Sequence, residues 1–280
     1  MTRSRSWSSA GPDPVALTSS SQSLGLAFAN TTGRTQVYPG TASGQRRFAP
    51  LMVGQSLMAS FADVLATNSY SSQIDMLNIN NGGVYTAQDP LLSAGYDPNR
   101  EALGLANGNV GIPIANKVIA ANYTDRVTLV NVAIGGTSVA NWATGPLADR
   151  LRIAWNRMKA INLVPSCVMW EQGQADAAGA TSGSDYQDRL TAIITNFRAL
   201  DPALAAVPWL IAQSTFPATD PGKTTIRAAQ AAVVNVPNHI LAGPDTDTLN
   251  GTYRHDGVHW NSSGLNAASD LWVAKLAALF

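Results

Sequence analysis

Five short, almost uninterrupted apolar runs constrain this chain more than any other feature. They span residues 50–53, 74–79, 127–134, 166–171 and 207–213. Strand-length runs without polar alternation are what a parallel sheet needs when helices cover both of its faces. The segments between them, 57–67, 110–123, 147–160, 185–200 and 223–234, and a last one at 262–279, carry helical spacing. In one of these, Leu147, Leu151, Ala154, Trp155 and Met158 recur at three and four, while Asp149, Arg150, Arg152 and Arg157 fall elsewhere. Ser184 is placed to cap the helix that follows it. Strand and helix in regular alternation predict a doubly wound α/β domain, a three-layer α/β/α sandwich on a central, mostly parallel five-stranded sheet. Such sheets gather their ligands at the C-terminal ends of the strands.

Residues 1–48 stand apart from this pattern. The first 22 are Ser-rich and contain Gly11-Pro12-Asp13-Pro14, which predicts an irregular lead-in. Residues 23–30 and 35–38 flank a Thr31-Thr32-Gly33 turn and predict a small hairpin outside the main fold. The expected division is an N-terminal extension, 1–48, and one domain, 49–280.

Charge narrows the partners. Lys+Arg equals Asp+Glu at 18 each, and charged residues are only 13% of the chain, so the basic excess that phosphate binding needs is missing. Nucleic acid is not the expected partner. No run approaches the ~20 apolar residues of a membrane span. The N-terminal Arg3 and Arg5 are not followed by an apolar core, so no signal peptide is visible. Low charge with abundant Ser, Thr, Asn and Gly resembles a surface exposed outside the cell; compartment and oligomeric state stay open. The single cysteine, Cys167, excludes an intramolecular disulfide and reads as a buried structural thiol.

Four polar motifs interrupt the pattern where a strand ends or the last helix begins. After the first run comes Gly54-Gln55-Ser56, with the serine at a strand-to-helix turn. There its hydroxyl projects over the sheet edge and its backbone N–H can donate to a developing oxyanion; the alternative is a simple N-cap. After the third run, Gly135-Gly136-Thr137-Ser138 lets the backbone approach a ligand closely, or makes an ordinary turn. After the fourth, Gln172-Gly173-Gln174-Ala175-Asp176 offers a side-chain amide, or a polar loop. Last, Asp256-Gly257-Val258-His259 sets a carboxylate three residues before a histidine. That carboxylate can bind Nδ1, fix the tautomer and leave Nε2 as a general base for a serine hydroxyl. His255-Asp256-x-x-His259 can also be read as metal ligands, but metal sites commonly need three or four convergent ligands and His239 lies on another segment. Neither metal nor cofactor is expected, and His255 is expected to face solvent.

Gly-Gln-Ser, Gly-Gly-Thr-Ser-x-x-x-Trp, Trp-x-Gln-Gly-x-x-Asp and Asp-Gly-x-His, in this order, resemble the SGNH-hydrolase (GDSL-like) superfamily. The branch is that of sialate O-acetylesterase-like and plant-type carbohydrate acetylesterases, and the likeness runs from about Leu51 to the end of the chain. It implies a flavodoxin-like sheet and a serine esterase that removes O-acetyl groups from a carbohydrate through an acyl-enzyme. Ser56 is then the nucleophile, His259 the base and Asp256 its orienting carboxylate. The oxyanion hole is implied to be the N–H of Ser56, the N–H of Gly135 (with Gly136 one residue away as the alternative) and the amide of Gln172. Gln55, Gln174, Trp142 and Trp260 are implied to be on the substrate side, the tryptophans as platforms for a sugar ring or, alternatively, as packing. Two positions depart from the pattern: Leu57 where the family often has Asn, and Gln174 where it usually has Glu. Competing functions are a short-chain esterase, lipase or thioesterase of the same superfamily, and a non-catalytic glycan-binding domain.

Overall fold

A computed structural model of the protein describes residues 27–38 and 44–280. Among these residues one nine-stranded sheet runs through the molecule in the order β1-β5-β4-β6-β3-β7-β8-β9, with β2 also paired to β6. Its strands are β1 (Gln36–Val37), β2 (Arg47–Phe48), β3 (Pro50–Gly54), β4 (Ile74–Leu77), β5 (Val84–Thr86), β6 (Arg126–Asn131), β7 (Cys167–Glu171), β8 (Trp209–Gln213) and β9 (Ile240–Asp245). All pairings from β4 through β9 are parallel, whereas β5 and β1 add an antiparallel edge. The five expected strands are therefore five of six central ones, and the sixth, β9, was not anticipated. Taken in chain order, β3, β6, β7, β8 and β9 lie 2-1-3-4-5, the flavodoxin-like order, with β4 added beside β6.

Helices cover both faces. The long ones are α2 (Gly111–Ala120), α4 (Ala148–Ala160), α6 (Gly183–Arg198), α7 (Gly222–Val233) and α8 (Ser262–Leu276); α1 (Pro98–Ala102), α3 (Val139–Ala143) and α5 (Gln174–Ala178) are single turns or little more. Apolar residues of α4, α6 and α7 pack in one core layer and those of α2 and α8 in the other. Strand β3 serves both: Leu51 and Val53 join the first layer, Met52 the second. Cys167 is fully buried, as expected, and burial pushes its thiol up.

Three local expectations fail for physical reasons. The helix at 57–67 is a single turn, in which Met58 and Ala59 donate to the Gln55 carbonyl at 3.0 Å. To continue, the Met58 carbonyl would have to accept from residue 62. It accepts instead from the side chains of Asn109 (3.0 Å) and Asn131 (2.8 Å), and the backbone then runs extended, Ser60 donating to Gly95 and Ala62 to Gly108. The hairpin fails too: the Thr32-Gly33 turn forms, but Gln36–Val37 pairs with β5 and Ala27 bridges Gly95. Residues 23–26, like the lead-in, lie outside the described residues. The cap of α6 is Ser182, whose hydroxyl accepts from Asp185 N at 3.1 Å, rather than Ser184.

One glycine fixes how the two strands at the sheet's centre meet. Gly54 has φ +143°, and a Cβ there would lie 2.0 Å from the Glu171 carbonyl oxygen. Gly54→Ala is expected to cost about 3 kcal/mol or more through steric overlap and backbone strain. Urea denaturation of the variant checks this.

Candidate active site

The register of β3 on β7 sets Gly54 opposite Glu171, so Gln55-Ser56 and Gln172 leave the sheet side by side. Strand order reverses at this point, with β6 on one side of β3 and β7 on the other, which opens the crevice such sheets use for ligands. The Gln55 N–H donates to the Glu171 carbonyl at 3.0 Å. Gly173, φ +157°, turns the next residue away with no room for a Cβ, which would meet Gln230 Nε2 at 2.4 Å. The Gln172 carbonyl is held by Tyr186 (2.7 Å) and Gln230 (2.8 Å).

The amides at this edge form a buried relay. Gln55 Oε1 accepts from Gly173 N, Ala175 N and Gln172 Nε2, each at 3.3 Å, while Gln55 Nε2 donates to Gln174 Oε1 and Gln174 Nε2 donates to the Phe216 carbonyl at 2.9 Å. Both glutamines expected on the substrate side are thus buried and spent on holding the serine loop to β7. Gln172 is fully buried, and besides Gln55 its amide nitrogen reaches the Thr137 carbonyl at 2.9 Å and Asp176 Oδ2, three acceptors that share two protons. Asp176 in turn accepts from Val139 N (2.8 Å) and the Thr181 hydroxyl (2.9 Å), tying the Gly135-Gly136 loop to the Gln172 loop. The sequence motif contained Asp176 but gave it no role. Gly136 is exposed at φ +70°, and Gly135 backs onto Phe61, whose ring would lie 2.7 Å from a Cβ at that position.

Across the crevice stands the last loop. Asp256 divides its two oxygens: Oδ1 accepts from Val258 N (2.9 Å) and His259 N (2.7 Å), and Oδ2 takes His259 Nδ1 at 2.6 Å. Gly257, φ +84°, permits the turn. Partial burial pushes the Asp256 carboxyl up, but these hydrogen bonds and the imidazole outweigh it and hold the group well below the usual carboxylate range. The loop is closed by an Arg254–Trp260 bridge and by His255 N donating to the His259 carbonyl at 2.9 Å. Arg254, sandwiched between Trp260 (4.1 Å) and Phe216 (4.6 Å), donates to the carbonyls of Leu249, Val258 and Thr246.

Several contacts strap this loop to the serine loop. Trp260 Nε1 donates to the Leu57 carbonyl at 3.2 Å, Asp63 N to the Trp260 carbonyl at 3.2 Å, and His255 Nε2 faces the Phe61 carbonyl at 3.2 Å. Phe61 itself stacks on the His259 ring, centroids 5.0 Å apart and planes 26° apart. The Ser56 and His259 loops are therefore held side by side, and neither the Ser56 hydroxyl nor His259 Nε2 has a hydrogen-bond partner among the described residues.

Other expectations are corrected here. Trp142 and Trp260 are each only 2% exposed, so neither offers a face to a sugar. Trp142 bonds Thr137 Oγ1 at 3.1 Å and packs on Trp170, while Trp260 is covered by Arg254. His255 is largely covered rather than solvent-facing. The ligating atoms of His255, Asp256 and His259 lie within 4.8 Å of one another, with Asp256 bonded to His259 Nδ1 and His255 Nε2 against the Phe61 carbonyl. Phe61 and Arg254 had no signal in the sequence, since both act through contacts between distant segments.

A family model for a carbohydrate esterase, sialic acid-specific acetylesterase, matches residues 49–276. The chain belongs to this family. It is a carboxylic ester hydrolase with an SGNH-type fold. Among solved structures it is similar to a protein of Arabidopsis thaliana, with 17% identity and a TM-score of 0.64 over 84% of this chain and 98% of that one. NanS superposes with a TM-score of 0.57 at 15% identity, covering 85% and 98%. A carbohydrate acetylesterase from Xanthomonas citri gives 0.54 at 15%, covering 83% of this chain and 56% of its own. No curated protein sequence matches the chain.

Glu171, the residue before Gln172, is fully buried; its Oε2 accepts from Trp272 Nε1 at 3.2 Å and its Oε1 has no partner. Burial raises its carboxyl from 4.5 to about 7, against the hydrogen bonds and Arg254, which lower it. A carboxyl raised on folding binds its proton more tightly in the native state. It therefore removes stability as pH climbs from below the unfolded value through about 7. Glu171→Gln is expected to flatten this decline, by on the order of 3 kcal/mol between pH 4.5 and 7. Chemical denaturation of both proteins across that range checks it.

Proposed function

We propose that this esterase removes O-acetyl groups from a carbohydrate by two-step acyl transfer, with Ser56 as nucleophile, His259 as base and Asp256 as the group that orients it. The observation that supports the reading most is the pairing of two unengaged atoms. The Ser56 hydroxyl and His259 Nε2 have no hydrogen-bond partners among the described residues, while Asp256, the Trp260 indole and the Gln55 amide are spent on fixing their loops. In structures without substrate the serine–histidine bond is often long, and it tightens only in the reacting complex.

The Asp256–Nδ1 bond puts the imidazole proton on Nδ1 and leaves Nε2 free to accept. His259 takes the Ser56 proton as Oγ attacks the ester carbonyl. The oxyanion forms beside the Ser56 N–H and the N–H of Gly135, with Gly136 one residue further on. Gln172 joins as third donor by exchanging one of its three acceptors, Gln55 Oε1, Thr137 O or Asp176, for the oxyanion. Protonated His259 then returns its proton to the leaving alcohol, and the same base activates water to release acetate. The acetyl and carbohydrate parts of this reading draw on the family's description and on the relatives named as carbohydrate acetylesterases.

Two variants test the assignment through acetate release from acetylated xylan, pectin, sialic acid and bacterial exopolysaccharide. Ser56→Ala is expected to abolish turnover on every substrate that the wild type cleaves, and equal rates would overturn the reading. Asp256→Asn is expected to lower kcat about 10⁴-fold through the wrong tautomer. Because its hydrogen bonds hold Asp256 ionised throughout the assay range, no acid limb of kcat/KM is expected from that carboxyl. A strong preference for octanoyl over acetyl esters would move the substrate to a lipid or thioester instead.

A further inference from the structure

The two tryptophans expected to meet a sugar are closed off, which leaves open what the alcohol half of the ester touches. Phe61 is a partly exposed ring that lies against the His259 imidazole. One face stacks on the His259 imidazole at 5.0 Å, and its far edge backs Gly135, whose missing Cβ would fall 2.7 Å from Cζ and 2.9 Å from Cε2. The ring thus spans from the base to the glycine of the oxyanion loop. Its position is set by backbone bonds on both sides: Ser60 N to Gly95 O (2.8 Å), Ala62 N to Gly108 O (3.1 Å), and the Phe61 carbonyl against His255 Nε2 (3.2 Å).

Chemistry assigns the space beside such a ring. At the tetrahedral centre one oxygen turns to the oxyanion donors, and the leaving oxygen must come within about 2.6–3.2 Å of Nε2 to receive its proton. The alcohol skeleton therefore starts one bond from the imidazole, on the side where base and oxyanion loop meet, and the acyl carbon chain points away from it. We propose that Phe61 is the apolar wall of the alcohol subsite and takes the C–H face of a sugar ring whose acetyl ester is cleaved. A hydrocarbon ring stacks on C–H bonds without reading hydroxyl positions, so the wall selects a pyranose-like alcohol over a small one while tolerating different sugars. This inference rests on the Ser56–His259 reading above.

The test holds the acetyl group constant and changes the alcohol. The ratio of kcat/KM for a mono-O-acetylated methyl pyranoside to that for ethyl acetate is measured in wild type, Phe61→Ala and Phe61→Tyr. Each ratio is internal to one protein, so partial loss of fold cancels. The expected result is a ratio about tenfold lower in Phe61→Ala and unchanged within twofold in Phe61→Tyr, with the acetate-to-butyrate preference on one alcohol unmoved in both. A ratio that stays constant in Phe61→Ala while both esters slow equally would mean that the ring only props His259, and would overturn the proposal. A shift in acyl-length preference instead would place the ring on the acyl side and overturn it as well. A wild type that cleaves neither ester would overturn the Ser56–His259 reading first, and this inference with it.

Discussion

The close approach of β3 and β7 at Gly54 and Glu171 is the contact on which the rest of the site depends. A side chain at Gly54 would collide with the neighbouring carbonyl, so only glycine lets Gln55 N–H reach Glu171 O. From that bond the amide relay follows, Gln172 to Gln55 to Gln174 to Phe216, and it sets the serine loop and the Gln172 loop at a fixed spacing. Asp176 extends the same frame to the Gly135 loop through Val139 N and Gln172. Buried polar groups of this kind stabilise only when their partners are complete. Among the described residues the frame leaves the Gln172 side-chain oxygen and, at its rim, the Ser56 hydroxyl without partners.

Two carboxyls near the crevice are driven in opposite directions by their surroundings. Glu171, sealed under Trp272, is raised to about 7, whereas Asp256, bonded by two backbone N–H groups and the imidazole, is held low. The contrast separates their tasks. Asp256 stays charged and holds the His259 imidazole; Glu171 belongs to the packed wall behind the Gln172 loop. Arg254 couples the regions by filling the space between Phe216 and Trp260 and fixing the Val258 carbonyl inside the histidine loop.

Much of the architecture was legible in the sequence because it rests on local, periodic signals. Continuous apolar runs located five of the six central parallel strands, and three-four spacing located α2, α4, α6, α7 and α8. The sixth strand was missed because Gly243-Pro244 breaks the apolar run at 240–245. The helix at 57–67 was lost to tertiary competition: two asparagine side chains from distant segments take the Met58 carbonyl that the helix required. The site followed the same division. The Asp256–His259 hydrogen bond was readable because a spacing of three residues is local. By contrast, Trp142, Trp260, Gln55 and Gln174 were given substrate roles from proximity in sequence, and burial turns all four inward. Phe61 and Arg254 were invisible for the complementary reason, since their roles exist only once segments nearly two hundred residues apart meet.

Ser56, set by the β3–β7 contact and served by His259, is the nucleophile we propose for this esterase. Reaction with a fluorophosphonate followed by peptide mapping reads this directly. A single adduct on Ser56 is expected in the folded wild type, lost in His259→Ala. An adduct on a different residue, or none in a protein that still hydrolyses acetate esters, would contradict it.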